Sequence, residues 1–463
     1  MARIKVEATN LSSQAAKSTL SDSDGTYSFG FLTGGEYAVS ASAPGFSISR
    51  TYFRLHSGQA IILNLTLSIA PAKAEIQVRA PSVSVATTSE QKFTTIDSEL
   101  RDQVPLATRN VLQLLDLVPG SVSALNNNAA LGRGNKAIAV NGTRANENNY
   151  RMNGIDANDI TSNGPAYIPV PAPESVSELS VQASSYDALY GRSPGAQIQV
   201  VTGHGTNTFH GVLYGYFRNE VLNANVADLK AIGVSRPPLR RNVYGATLGG
   251  PLRRNQAFVF LSYQGTREKN GVDDAVFHNV LIVPGLTDDR SAQALTTTFE
   301  IPMIHPASLA LLNAKLPSGE YLIPTPKESG RISGYATSTF HEEQFNTNFD
   351  FYVTPGDLLS ARFFFAQAKG IRGLGAVALP GVPIQEEISN RVLAFEYAHT
   401  FSPRLLNDLR LGVNYLRAGI SAQQHLLDSE FGIFRPTAIN YPGLPTITIG
   451  PEASIGSPLI DSL

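Results

Sequence analysis

Eight histidines are the residues of this 463-residue chain best suited to ligate a metal or relay protons. They are scattered, and none forms an HExxH pair or any other metal-ligand spacing. His56 is the only histidine in the first seventy residues and reads as a surface group. Cysteine is absent, which removes disulfides, thiolate metal sites and cysteine nucleophiles. Asp273-Asp274 and Asp288-Asp289 read as solvated loop charges. Gly132-Arg133-Gly134 resembles a phosphate cradle only in its glycines, because no strand precedes it and no GK[ST] helix follows. It reads as a polar loop. The residues therefore point to no enzyme, with no catalytic, metal or cofactor group. The chemistry that remains is non-covalent.

Two sets of residues could do that chemistry. The first is Glu75-Ile76-Gln77-Val78-Arg79-Ala80, set between Pro71 and Pro81. A short extended segment can add as a strand to a partner through main-chain donors and acceptors alone. Ile76–Val78 can equally be the last strand of the unit before it. The second set is polar and lies between residues 133 and 192: Arg133, Arg144, Asn146, Asn149, Asp156, Glu178 and Arg192. Arg144 and Glu147 are either buried charges that must find partners or exposed loop charges.

The elements that must position this second set are short. Ile138 and Val140, Leu179 and Val181, and Ile198 and Val200 alternate with polar neighbours, and turns dense in Gly, Asn and Asp separate them. This pattern predicts a compact mixed sheet with long polar loops. The wording resembles the plug domain of TonB-dependent outer-membrane receptors. Asn141-Gly142 stands where that family usually has Arg-Gly, and Met152-Asn153-Gly154-Ile155 stands at its "dGi" turn. Glu174 to Val181 matches the "ie.iEv" strand, Tyr190-Gly191 the "yG" pair, and Gly195 to Thr202 the closing "gG.Invvtk". The Oar-like branch is the nearest in wording. The resemblance implies that Glu75–Ala80 is a degenerate TonB box, and that Glu178 and Arg192 help lock plug to barrel.

Before the plug, residues 1–70 alternate in several short strands: Ile4-Val6-Ala8, Tyr27-Phe29, Tyr37-Val39-Ala41, Phe53-Leu55 and Ile61 to Leu67. Turns fall at Ser23-Asp24-Gly25, Gly34-Gly35 and Pro44-Gly45. The segment resembles the carboxypeptidase regulatory-like β-sandwich, whose first strand the chain enters part-way. It is read as a non-catalytic accessory module. Residues 71–88 read as a linker. Residues 89–203 form the plug, which opens on the strand Phe93–Ile96 and a helix capped by Asp97. A second helix follows, RNVLQLLDLV, capped by Thr108 and stopped by Pro119-Gly120.

Residues 204–463 change pattern again. Thr208–Arg218, Arg241–Leu248, Ala257–Gly265, Gln344–Val353, Leu359–Gln367, Val392–Thr400 and Leu405–Leu416 alternate over lengths that cross a tilted bilayer. In the fourth, Phe345, Phe349 and Phe351 face out and Gln344, Asn346, Asn348 and Asp350 face in. Short turns are expected at Gly250-Pro251, Pro355-Gly356 and Ser402-Pro403, and a long polar insertion at about 268–340. Short turns on one side and long loops on the other mark an outer-membrane barrel. The fold class is thus mainly β: a small sandwich, an α+β plug, and the first strands of an antiparallel transmembrane barrel.

Composition agrees. Charged residues are 16 %, the formal net charge is -2, and no basic patch suggests nucleic acid. No apolar run of about 18 residues predicts a transmembrane helix. A barrel enclosing such a plug needs on the order of 22 strands, and roughly seven to nine are legible. With no visible signal peptide, the sequence reads as a fragment of a longer receptor of the bacterial outer membrane. The resemblance implies ligand binding and energised import, with the TonB complex, outer-membrane lipid and an extracellular ligand as partners. The accessory module suggests an oligosaccharide (carbohydrate binding) or a peptide. The alternative is a non-transporting Oar-like surface protein for adhesion or envelope organisation.

Overall fold

The computed structural model describes residues 3–30, 32–56, 61–69, 76–78, 93–106, 108–123, 138–160, 168–183, 191, 193–225, 227–231, 233–272, 276–316, 318–326, 330–354, 356–373, 383–402, 405–422, 426–436, 443–449 and 453–455. The N-terminal unit holds β1 (Lys5–Asn10), β2 (Ala16–Leu20), β3 (Gly35–Ser42), β4 (Ser49–Leu55) and β5 (Ile76–Val78), in the order β2-β1-β3-β4-β5. Val6, Ala8, Tyr37, Val39 and Leu55 form its core. The expected strands at Tyr27–Phe29 and Ile61–Leu67 are extended segments that pack on this core without joining the ladder. The Tyr27 hydroxyl ties them together by donating to Leu63 O at 2.7 Å. Strand β2 was not legible, because Ala16–Leu20 has only two apolar residues.

The plug contains β6 (Phe93–Asp97), α1 (Ser98–Gln103), a 3-10 turn at Val111–Leu117, β7 (Ser121–Ser123), β8 (Ile138–Val140), β9 (Asn149–Met152), β10 (Ile155–Asp156), β11 (Val176–Ala183) and β12 (Ala196–Thr202). Its main sheet runs β10-β9-β12-β11-β6, and only the β9–β12 pair is parallel. Asp97 caps α1 as expected, accepting from Leu100 N at 3.0 Å. The second expected helix is a 3-10 turn instead, and its cap is Asn110 rather than Thr108. Arg109 explains the shift. Its φ is +60°, a left-handed conformation that cannot begin a right-handed helix. Leu112, Leu114, Leu115, Ile138, Leu179 and Ile198 fill the core.

The remaining chain builds a seven-stranded antiparallel sheet and, apart from it, two small two-stranded sheets. In chain order the elements are β13 (His210–Asn219), α2 (Ala227–Ala231), β14 (Leu239–Arg253), β15 (Ala257–Asn270), β16 (Val276–Leu281), α3 (Ala292–Thr298), α4 (Pro306–Asn313), β17 (Arg331–Tyr335), β18 (Ser338–Thr354), β19 (Asp357–Arg372), β20 (Ile384–Ser402) and β21 (Leu405–Ala422). The sheet order is β13-β14-β15-β18-β19-β20-β21. Its strands run from 10 to 19 residues; β14, β18, β19 and β20 continue past both ends of the expected segments, β15 and β21 past one end only, and β13 begins at His210 rather than Thr208. Gly250-Pro251 is no turn. It lies inside β14, which bulges there, and the chain reverses at Arg254–Gln256 with Asn255 at φ +62°. None of the described helices is long and apolar enough to cross a membrane.

The connection from β15 to β18 was read as a polar insertion, and it folds. Val280, Ile282, Leu286, Leu295 and Leu311 form a core completed by Phe431, Leu444 and Ile455 from beyond β21. This cap sits at the loop end of the sheet, opposite the short turns.

Candidate functional site

Alternation gives the wall two chemistries. On one face Gln264, Thr266, Gln344, Asn346, Asn348, Asp350 and Asn390 are buried, and Gln344 and Asn348 bond the plug from it. On the other, Leu213, Phe217, Phe345, Phe363, Leu393 and Leu411 are exposed. The inward face is the unusual one, because buried amides must be hydrogen-bonded or leave a cost of about 1–3 kcal/mol each.

Only some of these groups bond the plug directly. Asn348 Nδ2 donates to Thr202 Oγ1 at 2.7 Å and to Gly203 O at 2.6 Å. Gln344 Nε2 donates to Val170 O at 3.1 Å, and Arg241 Nη2 donates to Thr108 O at 2.7 Å. Glu174 pairs with Arg109, accepts from Tyr216 OH at 3.0 Å, and so joins the plug to β13. The Arg109 guanidinium also lies 4.0 Å over the Tyr216 ring. Both amide atoms of Asn346 and the carbonyls of Asn390 and Asn414 find no partner among the described residues. An apolar contact supplements these bonds. Met152, Ala157 and Ile155 meet Phe364, Ala366 and Val392. Gly412 on β21 lets Ile155 approach so closely that a Cβ there would lie 2.3 Å from Ile155 Cδ1.

The hairpin joining β9 to β10 turns on Asn153-Gly154, both at positive φ (50° and 81°), as two-residue hairpin turns require. The Asn153 carbonyl accepts from Thr202 N and Oγ1, each at 3.0 Å. Thr202 therefore connects the plug hairpin to wall residue Asn348.

The sequence-derived candidates divide. Asn149 and Asp156 belong to an internal plug network. Asn149 Nδ2 donates to Gln197 Oε1 at 2.7 Å, while Asn158 Nδ2 donates to Asn149 Oδ1 at 2.6 Å and Asp156 Oδ1 at 2.8 Å. Burial of the same strand pushes the Tyr150 phenol up to about 12. Arg144 is exposed, so it is not a buried charge, and its N–H donates to Glu147 Oε2 at 2.7 Å. Asn146 is exposed beside it. The Glu178 carboxylate lies 3.7 Å from His56 Nδ1 of the N-terminal unit. Ile76–Val78 forms edge strand β5, parallel to β4. Glu75, Arg79, Ala80, Arg133 and Arg192 lie outside the described residues. The motifs do not single out Arg109, Glu174 or Thr202 as seam residues, and alternation marks Asn348 only as inward-facing, not as the partner of Thr202.

Gly191-Arg192-Ser193-Pro194-Gly195 spells a GxSxG string. Ser193 is buried, and the segment leads into strand β12 rather than a helix, so the nucleophile-elbow context is missing.

The N-terminal unit docks on the turn side. Arg54 Nη1 pairs with Asp97 Oδ2 at 2.6 Å, and Gly30 packs on Leu406. A cavity of about 1320 Å³ lies where this unit meets plug and wall, lined in part by His56, Glu178, Arg362, Glu396 and Arg410.

This arrangement matches three known families in sequence. The outer membrane beta barrel domain matches residues 201–460, the TonB-dependent receptor plug domain residues 85–196, and the carboxypeptidase regulatory-like domain residues 1–68. The chain belongs to the TonB-dependent outer-membrane receptors. It is 25 % identical over 351 residues to the TonB-dependent transporter Oar of Myxococcus xanthus, covering 67 % of this chain and 32 % of that protein. The chain thus spans about a third of that relative's length. The outer membrane transporter YddB from Escherichia coli is similar in fold, with a TM-score of 0.49 and 11 % identity over 72 % of this chain and 40 % of that one. A ferric enterobactin receptor from Pseudomonas aeruginosa gives 0.44 and 12 % identity over 74 % and 44 %. As a receptor of this family, the protein resides in the outer membrane.

Proposed function

We propose that this receptor binds an extracellular ligand on its loop side and imports it when TonB draws on the segment near residues 75–80. The proposed organisation is an accessory unit over 1–70, a linker over 71–88 that lends strand β5 to that unit's sheet, a plug over 89–203 and the wall from 204 onward. The plug–wall seam carries the proposal. It is polar, its direct bonds are separated along the strands, and wall amides such as Asn346 lack protein partners among the described residues. A seam of this kind can exchange its partners for water, whereas an apolar core could not open without a large penalty. The extended conformation of Ile76–Val78, already paired with β4, supports its competence for strand addition. The work is binding and displacement, without covalent catalysis. An oligosaccharide or a peptide is the proposed class of ligand.

The second reading is a surface protein that does not transport. The folded cap, whose core draws on two distant connections, supports it, since a folded cap can present a surface on the loop side. Deleting residues 74–80 in cells separates the two. Import depends on the segment and should fail, whereas adhesion does not depend on it and should survive. Uptake that continues after the deletion contradicts the energised reading.

A further inference from the structure

From β15 across to β21, the outward face of the wall carries cations at one end only among the described residues. Three successive rows of register describe the loop end. The first is Arg267, His341, Lys369, Glu387 and Gly419; the second is Gly265, Glu343, Gln367, Ser389 and Arg417; the third is Tyr263, Phe345, Phe365, Arg391 and Tyr415. Two of these cations are paired: Arg267 with Glu343, and Lys369 with Glu387 at 3.0 Å. Arg391 and Arg417 are exposed and form no ion pair among the described residues, although Arg417 lies within electrostatic reach of Glu387. Arg391 instead lies 5.8 Å over the Phe365 ring and 5.6 Å over the Tyr415 ring.

Below these rows the same face is uncharged. Phe363, Leu393 and Val413 make up the next row, then Ala361, Phe395 and Leu411, then Leu359, Tyr397 and Leu409. At the turn end of β18–β21 this face offers Asp357 and His399, with no lysine or arginine among the described residues. The cations therefore sit directly above the aromatic border of the apolar band, and only on the side of the long loops. That is the level of headgroups in the outer leaflet.

We propose that Arg391 and Arg417, backed by Lys369, form a docking stripe for a membrane lipid whose headgroup carries phosphate. Guanidinium forks match phosphate oxygens bidentately. The aromatic rings beneath Arg391 hold its head at the interface while its stem lies along the apolar band. Arg267, Lys369, Arg391 and Arg417 stand against only Glu343 and Glu387 in these rows, which leaves the loop end of this face net positive.

The test uses the protein in nonionic detergent and native mass spectrometry with three probes: diphosphoryl lipid A, the same lipid stripped of phosphate, and inorganic phosphate. The wild type should prefer the phosphorylated lipid, and Arg391→Gln with Arg417→Gln should weaken that binding about thirtyfold. Arg391→Lys with Arg417→Lys should keep most of it, which separates lost charge from lost fold. Arg253→Gln with Arg254→Gln, on the turn side, should leave it unchanged. The proposal is overturned if the glutamine pair keeps the preference, if the turn-side pair abolishes it, or if phosphate alone binds as well as the lipid.

Discussion

Asn348 Nδ2 stands 2.7 Å from Thr202 Oγ1, and Thr202 in turn donates to Asn153 at the tip of the plug hairpin. One threonine at the end of β12 thus relays the wall's hold to the turn of the plug. Its neighbour Gly203 gives Asn348 a second acceptor, so a single wall amide secures the place where plug becomes wall.

Asn348→Ala should loosen the plug without unfolding the wall. It leaves buried acceptors without a donor, at about 1–3 kcal/mol. Amide exchange along β12 should accelerate about ten- to a hundredfold, while exchange along β19 and β20 stays as it was. Equal acceleration in both would show that Asn348 supports the wall itself.

Glu174→Gln should be more costly. It leaves the largely buried Arg109 cation without its carboxylate, and breaking such a pair costs about 3 kcal/mol. Limited proteolysis of the plug should quicken in the variant. Removing both charges, with Arg109→Met added, should recover part of the loss.

Gly412→Val should unseat the plug hairpin, because a Cβ at that position meets the whole Ile155 side chain. Adding Ile155→Ala should restore seating, read again by exchange along β9 and β12. No rescue by the second substitution would mean that the glycine serves the wall's own geometry.

Lys17 provides a pH dependence. Burial pushes its amine down from 10.5 to about 8, partly opposed by Glu396 and Asp357. Between about 8 and the ordinary lysine value the unfolded chain holds the proton and the folded chain does not. Stability of the N-terminal unit should therefore rise with pH across that window. Lys17→Met should stabilise the unit at pH 7 and flatten the rise, as followed by exchange along β1.

Much of this architecture is legible in the residues, and the exceptions have physical causes. Period-two alternation announces the wall strands, and the inward set Gln344, Asn346, Asn348 and Asp350 is readable because it alternates with outward aromatics. The cap is not readable. Leu295 and Phe431 share one core, yet 136 positions separate them, so neither stretch looks apolar enough to fold alone. The seam residues are hidden for a related reason. Arg109, Glu174 and Tyr216 lie far apart in the chain, and only the docking of the plug on β13 brings them together. Gly250-Pro251 misleads because a β-bulge uses the same residue types as a turn.

We propose above that the segment around Ile76–Val78 hands this receptor to TonB. The most direct measurement is binding of the purified periplasmic domain of TonB to the protein in detergent, with and without residues 74–80, and with Gln77→Pro, which removes one main-chain donor. Binding to the intact protein that disappears in the deletion and weakens at least tenfold with proline is the predicted result. Binding that is equal in all three proteins would contradict it.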